Sequence, residues 1–170
     1  PPAVRVVSMG VEVERKFLVS GAGWRDLVAR SAPIRQGYLL AEPQKVVRVR
    51  QFGQRAFLTI KGKQTGLARP EFEYVIPPTD APGLLRMCSG VVEKVRYDLS
   101  VPAALWTVDV FEGANAGLVV LEIEDEPGQD RVSALTRADL PAWVGEEVSE
   151  DFAYTNAALS KKPFSTWERA

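Results

Sequence analysis

Residues 10–19 read GVEVERKFLV, so Glu12, Glu14 and Lys16 alternate with Val11, Val13 and Phe17. Side chains of a strand alternate between its two faces, which gives this segment one face of two acids and a base. The pattern recurs along the chain. Arg48 and Arg50 share a face in KVVRVRQ, Thr59 and Lys61 in FLTIKG, and Arg69, Glu71 and Glu73 in RPEFEYVI. Lys94 and Arg96 align in VVEKVRYDL, Asp109 stands between Val108 and Val110, and Glu122, Glu124 and Glu126 align in VVLEIEDE. Like charges two residues apart lie about 7 Å from each other along a strand face. Clustered arginines and lysines suit phosphate oxygens, and clustered carboxylates suit a hard divalent cation. A surface carrying both reads as a site for a metal-complexed polyphosphate, where cations would offset the charge of a phosphoryl group under attack.

Composition narrows the chemistry further. The chain has no histidine, which excludes histidine acid–base catalysis, Ser-His-Asp triads and histidine-ligated zinc. Its one cysteine, Cys88, excludes an internal disulfide and fits a reducing compartment, so the expected location is cytoplasmic. The 21 basic and 22 acidic residues nearly cancel, and this balance offers no footing for nucleic acid or a membrane. No apolar run reaches the roughly 18 residues of a membrane span. No GxxxxGK[ST] loop is present to cradle phosphate.

These side chains need strands to hold them. Eight β-rich runs are expected at residues 11–19, 35–40, 45–51, 56–61, 71–76, 91–99, 106–111 and 118–124, separated by Gly- and Pro-containing breaks. Helices are expected at 23–30, 80–89, 131–139 and 150–159, the last capped by Ser149 and followed by Pro163. Residues 1–8 (PPAVRVVS) lack the basic and apolar regions of a signal peptide; Met9 is read as the initiator, residues 1–8 as a leader or a non-native remnant, and residues 9–170 as one domain. Strands with solvated charges would also produce this alternation. The runs of like charge and the shortage of helices to cover an open sheet favour an α+β fold. In it the strands roll into a barrel with a charged lumen, and helices and loops cover its apolar outside.

The ordered stretches E-x-E-x-K at 12–16, GYL at 37–39, RVR at 48–50, TIKG at 59–62, EFEY at 71–74, EKVRY at 93–97, VDVF at 108–111 and LEIE at 121–124 together resemble the CYTH domain, the triphosphate tunnel metalloenzymes. The resemblance spans residues 9–164 and is greatest to short bacterial inorganic tripolyphosphatases. It implies an eight-stranded antiparallel closed barrel that hydrolyses a small-molecule triphosphate with Mg2+ or Mn2+. It implies that Glu12, Glu14 and Glu124, with Glu122 close by, hold the metal. Lys16, Arg48, Arg50, Lys61, Arg69, Lys94 and Arg96 would grip the triphosphate, with Lys94 placed to stabilise or protonate the leaving oxygen. Glu73 and Asp109, with Glu71, would orient those cations or the attacking water, or serve only to pair charge. Tyr38 would close the lumen or simply pack. Thiamine triphosphatase, nucleoside triphosphatase, class IV adenylate cyclase and a non-catalytic polyphosphate-binding module are the alternatives, and a homodimer is compatible with any of them. SEDFAYTN at 149–156 departs from the family's T-G-D-x-R-Y-S-N in lacking the arginine.

Overall fold

The structure, a computed structural model, describes residues 5–102, 104–126 and 128–168. Its strands are β1 (Arg5–Val19), β2 (Val28–Glu42), β3 (Lys45–Phe52), β4 (Arg55–Lys61), β5 (Ala68–Ile76), β6 (Val91–Leu99), β7 (Leu105–Phe111), β8 (Val119–Glu124) and β9 (Val144–Glu147); α1 spans Ala81–Arg86 and α2 spans Asn156–Lys161. The order around the sheet is β5-β4-β3-β2-β6-β7-β8-β1, and β1 pairs back with β5, so eight antiparallel strands close into a barrel. Closure depends on the length of β1. Its first part pairs with β5 (Glu12 opposite Arg69), and its second part pairs with β8 (Glu14 opposite Glu124, Lys16 opposite Glu122). Of the expected leader, residues 1–4 lie outside the described residues, while Arg5 and Val6 pair with Val75 and Tyr74 of β5.

Alternation decides what lies on each side of the wall. Phe17, Trp106, Val108, Leu121 and Ile123 turn outward into a core completed by Trp24, Val132 and Val144 from the connecting segments. A second outer cluster seats Ala81 and Leu85 of α1 on Val49 and Ala56. Over β1, β5 and β4 the outer face stays open, leaving Val11, Phe72 and Ile60 exposed. One end of the barrel is filled by Val92, Phe111 and Val120, against which Leu159 of α2 packs. Gly90 makes that docking feasible, since a Cβ there would lie 2.1 Å from the carbonyl oxygen of Ser160. Among the described residues no helix is long and apolar enough to cross a membrane.

The helical expectations need correction. Residues 23–30 form only a 3-10 turn, Arg25–Leu27, because β2 begins at Val28 and pairs along both edges, with β6 and β3. Residues 131–139 form two 3-10 turns, Val132–Ala134 and Arg137–Asp139, too short to repay helix nucleation. The last helix is split into the turn Phe152–Tyr154 and α2, whose cap is Thr155: its hydroxyl accepts from the N–H of Ala158. Ser149 instead accepts from the N–H of Lys16 and donates to Glu147. The four-residue β9 lies outside the expected strands; its VGEE carries no alternating signal.

Candidate active site

Charged side chains from several strands line one cavity, where the registers bring them together. Carboxylate oxygens of Glu12, Glu14 and Glu124 lie within 4.8 Å of one another. Lys16 Nζ sits 2.5 Å from Glu14 Oε1 and 3.7 Å from Glu122 Oε1. Lys61 Nζ lies 2.5 Å from Glu12 Oε2 and 2.8 Å from Glu71 Oε2. Arg48 Nη2 donates to Thr59 Oγ1 at 3.0 Å and to Glu73 Oε2 at 3.2 Å. Arg96 grips both oxygens of Asp109 at 2.7 Å and reaches Glu122. Arg69 Nε donates to the carbonyl of Gly62 at 2.7 Å.

Most of the expected residues therefore surround one cavity of about 290 Å³, which Glu12, Glu14, Lys16, Tyr38, Arg48, Arg50, Lys61, Arg69, Glu73, Arg96, Glu122 and Glu124 all line. A larger, more open cavity of about 930 Å³ shares Arg50, Glu73, Arg96 and Glu124 with it and adds Phe52, Phe57 and Leu105. The charged cavity thus adjoins a wider, partly apolar one through these shared residues. Lys94 and Asp109 line neither cavity and are buried, 1% and 0% exposed. Lys94 Nζ donates to Asp109 and, at 3.1 Å, to Asn156 Oδ1. Trp24 and Trp106 pack edge-on against Tyr97 and Trp143, respectively.

The protonation equilibria show which charges lack partners. Burial, with Glu12 and Glu14 adding to it, pushes the Glu124 carboxyl up to about 8. Burial lowers the Arg50 guanidinium to about 10, and the like charges of Arg48 and Arg96 push the same way. Among the described residues neither group has an ion-pair partner within 4.0 Å. Burial alone would raise Glu122, yet Arg96 and Lys16 hold it well below the carboxylate range. Burial opposes the charge of Lys16, but Glu14 and Glu122 raise its pKa. Burial drives Lys94 down to about 7 against the pull of Asp109, with Arg96 adding to the drop.

Two partners went unnoticed in the sequence. Gln36 is fully buried between Arg50 and Tyr38, and its same-face spacing from Tyr38 was the available signal. Asn156 has no strand periodicity to reveal it, because it reaches Lys94 from the first turn of α2.

A closed antiparallel barrel that sets a carboxylate cluster against a bank of buried cations belongs to the tunnel-type barrels. The particular family follows from comparison: residues 10–139 match the CYTH domain model, and the chain belongs to that family. It is 41% identical to an inorganic triphosphatase of Acetivibrio thermocellus over 162 residues, covering 94% of this chain and 99% of the relative. It is 39% identical to an inorganic triphosphatase of Nitrosomonas europaea over 152 residues, covering 88% and 96%. The crystal structure of the inorganic triphosphatase NE1496 superposes with a TM-score of 0.62 at 36% identity, covering 88% of this chain and 93% of that one.

Proposed function

We propose that this protein is an inorganic triphosphatase that hydrolyses tripolyphosphate to pyrophosphate and phosphate with Mg2+ or Mn2+ inside the barrel. Relatives of that name along nearly the whole chain support the reading. The observation that carries it is the pair of uncompensated charges, Glu124 and Arg50, lining the same cavity. An acidic group held up at about 8 and a guanidinium held down at about 10 are each short of a counter-charge. A metal-complexed polyanion supplies both.

Glu12, Glu14 and Glu124 fit a hard divalent cation, with three clustered oxygens of the donor type it favours. A cation held there supplies Lewis-acid charge compensation at the phosphoryl oxygens. The chain's own cations do the rest. Arg50 and Arg69, which have no carboxylate partner among the described residues, take up phosphate oxygens without breaking an ion pair. Lys16 and Arg96 both reach Glu122, and Lys61 joins Glu12 to Glu71, so all three cations stand where the acidic and basic zones meet. Glu73 fixes Arg48, and Asp109 fixes Arg96. Lys94 acts through Asp109, which it shares with Arg96, because its ammonium does not reach the cavity wall. Its single half-buried cysteine fits a cytoplasmic setting.

A second reading, hydrolysis of an organic triphosphate, draws on Phe52, Phe57 and Leu105 at the wide mouth, which would accept an apolar group. Phosphate release from tripolyphosphate, ATP, thiamine triphosphate and a phosphomonoester, with and without Mg2+, separates the two. Fastest turnover of tripolyphosphate and negligible turnover of the monoester are expected. Faster turnover of an organic triphosphate would favour the second reading, and tight binding without turnover would mark a binding module.

A further inference from the structure

Gln36 lies on β2 directly opposite Arg50 of β3 and on the same face as Tyr38. It is 0% exposed. Its Oε1 accepts from Arg50 Nε at 2.9 Å, and its Nε2 donates to the Tyr38 hydroxyl at 2.9 Å. An arginine can only donate, so the amide has one permitted orientation, oxygen toward Arg50 and nitrogen toward Tyr38. The tyrosine oxygen is therefore the acceptor in that bond, and its own proton must point elsewhere. Among the described residues no side chain or carbonyl accepts that proton, and Tyr38 lines the charged cavity beside Arg48 and Arg50.

We infer that Gln36 is a positioning residue that aims the Tyr38 proton and the Arg50 guanidinium together at one phosphate group of the bound triphosphate. The inference rests on the triphosphatase reading above. It gives Tyr38 the role of a neutral donor among cations and explains why a wholly buried amide stands in the lumen wall. A carboxylate at position 36 keeps the acceptor for Arg50 but lacks the donor, so the Tyr38 hydroxyl would turn and donate to it, away from the substrate.

The test is a double-mutant cycle on tripolyphosphate hydrolysis with Mg2+. Tyr38→Phe removes one hydrogen bond to a charged ligand and should lower kcat/KM about 10- to 100-fold. Gln36→Glu should cost at least as much in the presence of Tyr38 but distinctly less in the Tyr38→Phe background, where no hydroxyl remains to turn. An equal penalty in both backgrounds would overturn the inference. Gln36→Met removes the amide without adding charge and serves where Gln36→Glu does not fold. It should raise KM in the wild type and in Tyr38→Phe, but by distinctly less in Arg50→Ala, where only the bond to Tyr38 remains to be lost. The same KM increase in Arg50→Ala would likewise overturn it. A wild type that neither binds nor hydrolyses tripolyphosphate overturns both the inference and the reading beneath it, whereas an active wild type with additive variants overturns the inference alone.

Discussion

Asp109→Asn would expose how the basic wall is held. Asp109 is wholly buried and accepts from Lys94 and from two nitrogens of Arg96. The amide keeps the volume but removes the charge, leaving Arg96 with Glu122 alone and Lys94 with Asn156. Removing one partner of a buried ion pair costs about 3–5 kcal/mol, and each kcal/mol moves the midpoint of a domain this size by roughly 2–4 °C. A fall of about 6–20 °C is therefore expected. Its pH dependence follows from Lys94, whose pKa is about 7 in the fold against 10.5 in the free side chain. The fold binds fewer protons than the unfolded chain between those values, so stability present above pH 10.5 is lost as pH falls toward 7. Without Asp109 the folded pKa drops further, and the loss continues below 7. The gap between wild type and Asp109→Asn should thus widen from pH 8 to pH 6 in thermal melts with metal and phosphate excluded. Midpoints within about 2 °C of each other across that range would refute this account of the buried pair.

A triphosphate–metal complex at a hundredfold excess over its dissociation constant should raise the midpoint by about 5–10 °C, read with calcium to slow turnover. Arg50→Ala and Lys61→Ala should both shrink that rise, but they should differ unliganded. Arg50→Ala should hold or raise the midpoint because it removes a charge that Arg48 and Arg96 repel, whereas Lys61→Ala should lower it by leaving Glu12 and Glu71 unpaired; equal unliganded midpoints would count against this. Gly90→Ala must displace the Ser160 carbonyl and should cost about 1–3 kcal/mol of stability, seen as loss of helix α2 docking in hydrogen exchange.

The barrel was legible because a charged lumen inverts the usual alternation. Glu12-Val13-Glu14, Arg48-Val49-Arg50 and Glu122-Ile123-Glu124 each name their inward face, and the strands carrying them fall where the pattern placed them. What escaped was set by contacts distant in sequence. Residues 28–34 continue β2 because β6 lies alongside, and β9 exists because β1 offers an edge beyond the end of β5. Periodicity shows which face Lys94 takes but not its depth, and so could not distinguish Arg96, which lines the cavity, from Lys94, which is buried beside Phe111 and lines none. The sign of a charge was visible; its pairing was not.

The central claim is that the lumen hydrolyses tripolyphosphate with a divalent cation held by Glu12, Glu14 and Glu124. Phosphorus NMR of tripolyphosphate incubated with the wild type and with Glu124→Gln tests it most directly. The wild type should produce pyrophosphate and phosphate in equal amounts with Mg2+ and neither with EDTA. Glu124→Gln keeps the volume but loses one of three clustered carboxylates, and its rate should fall by orders of magnitude, recovering in part at high Mg2+. Turnover that persists in EDTA, or a near-normal rate for Glu124→Gln at ordinary Mg2+, would contradict the account.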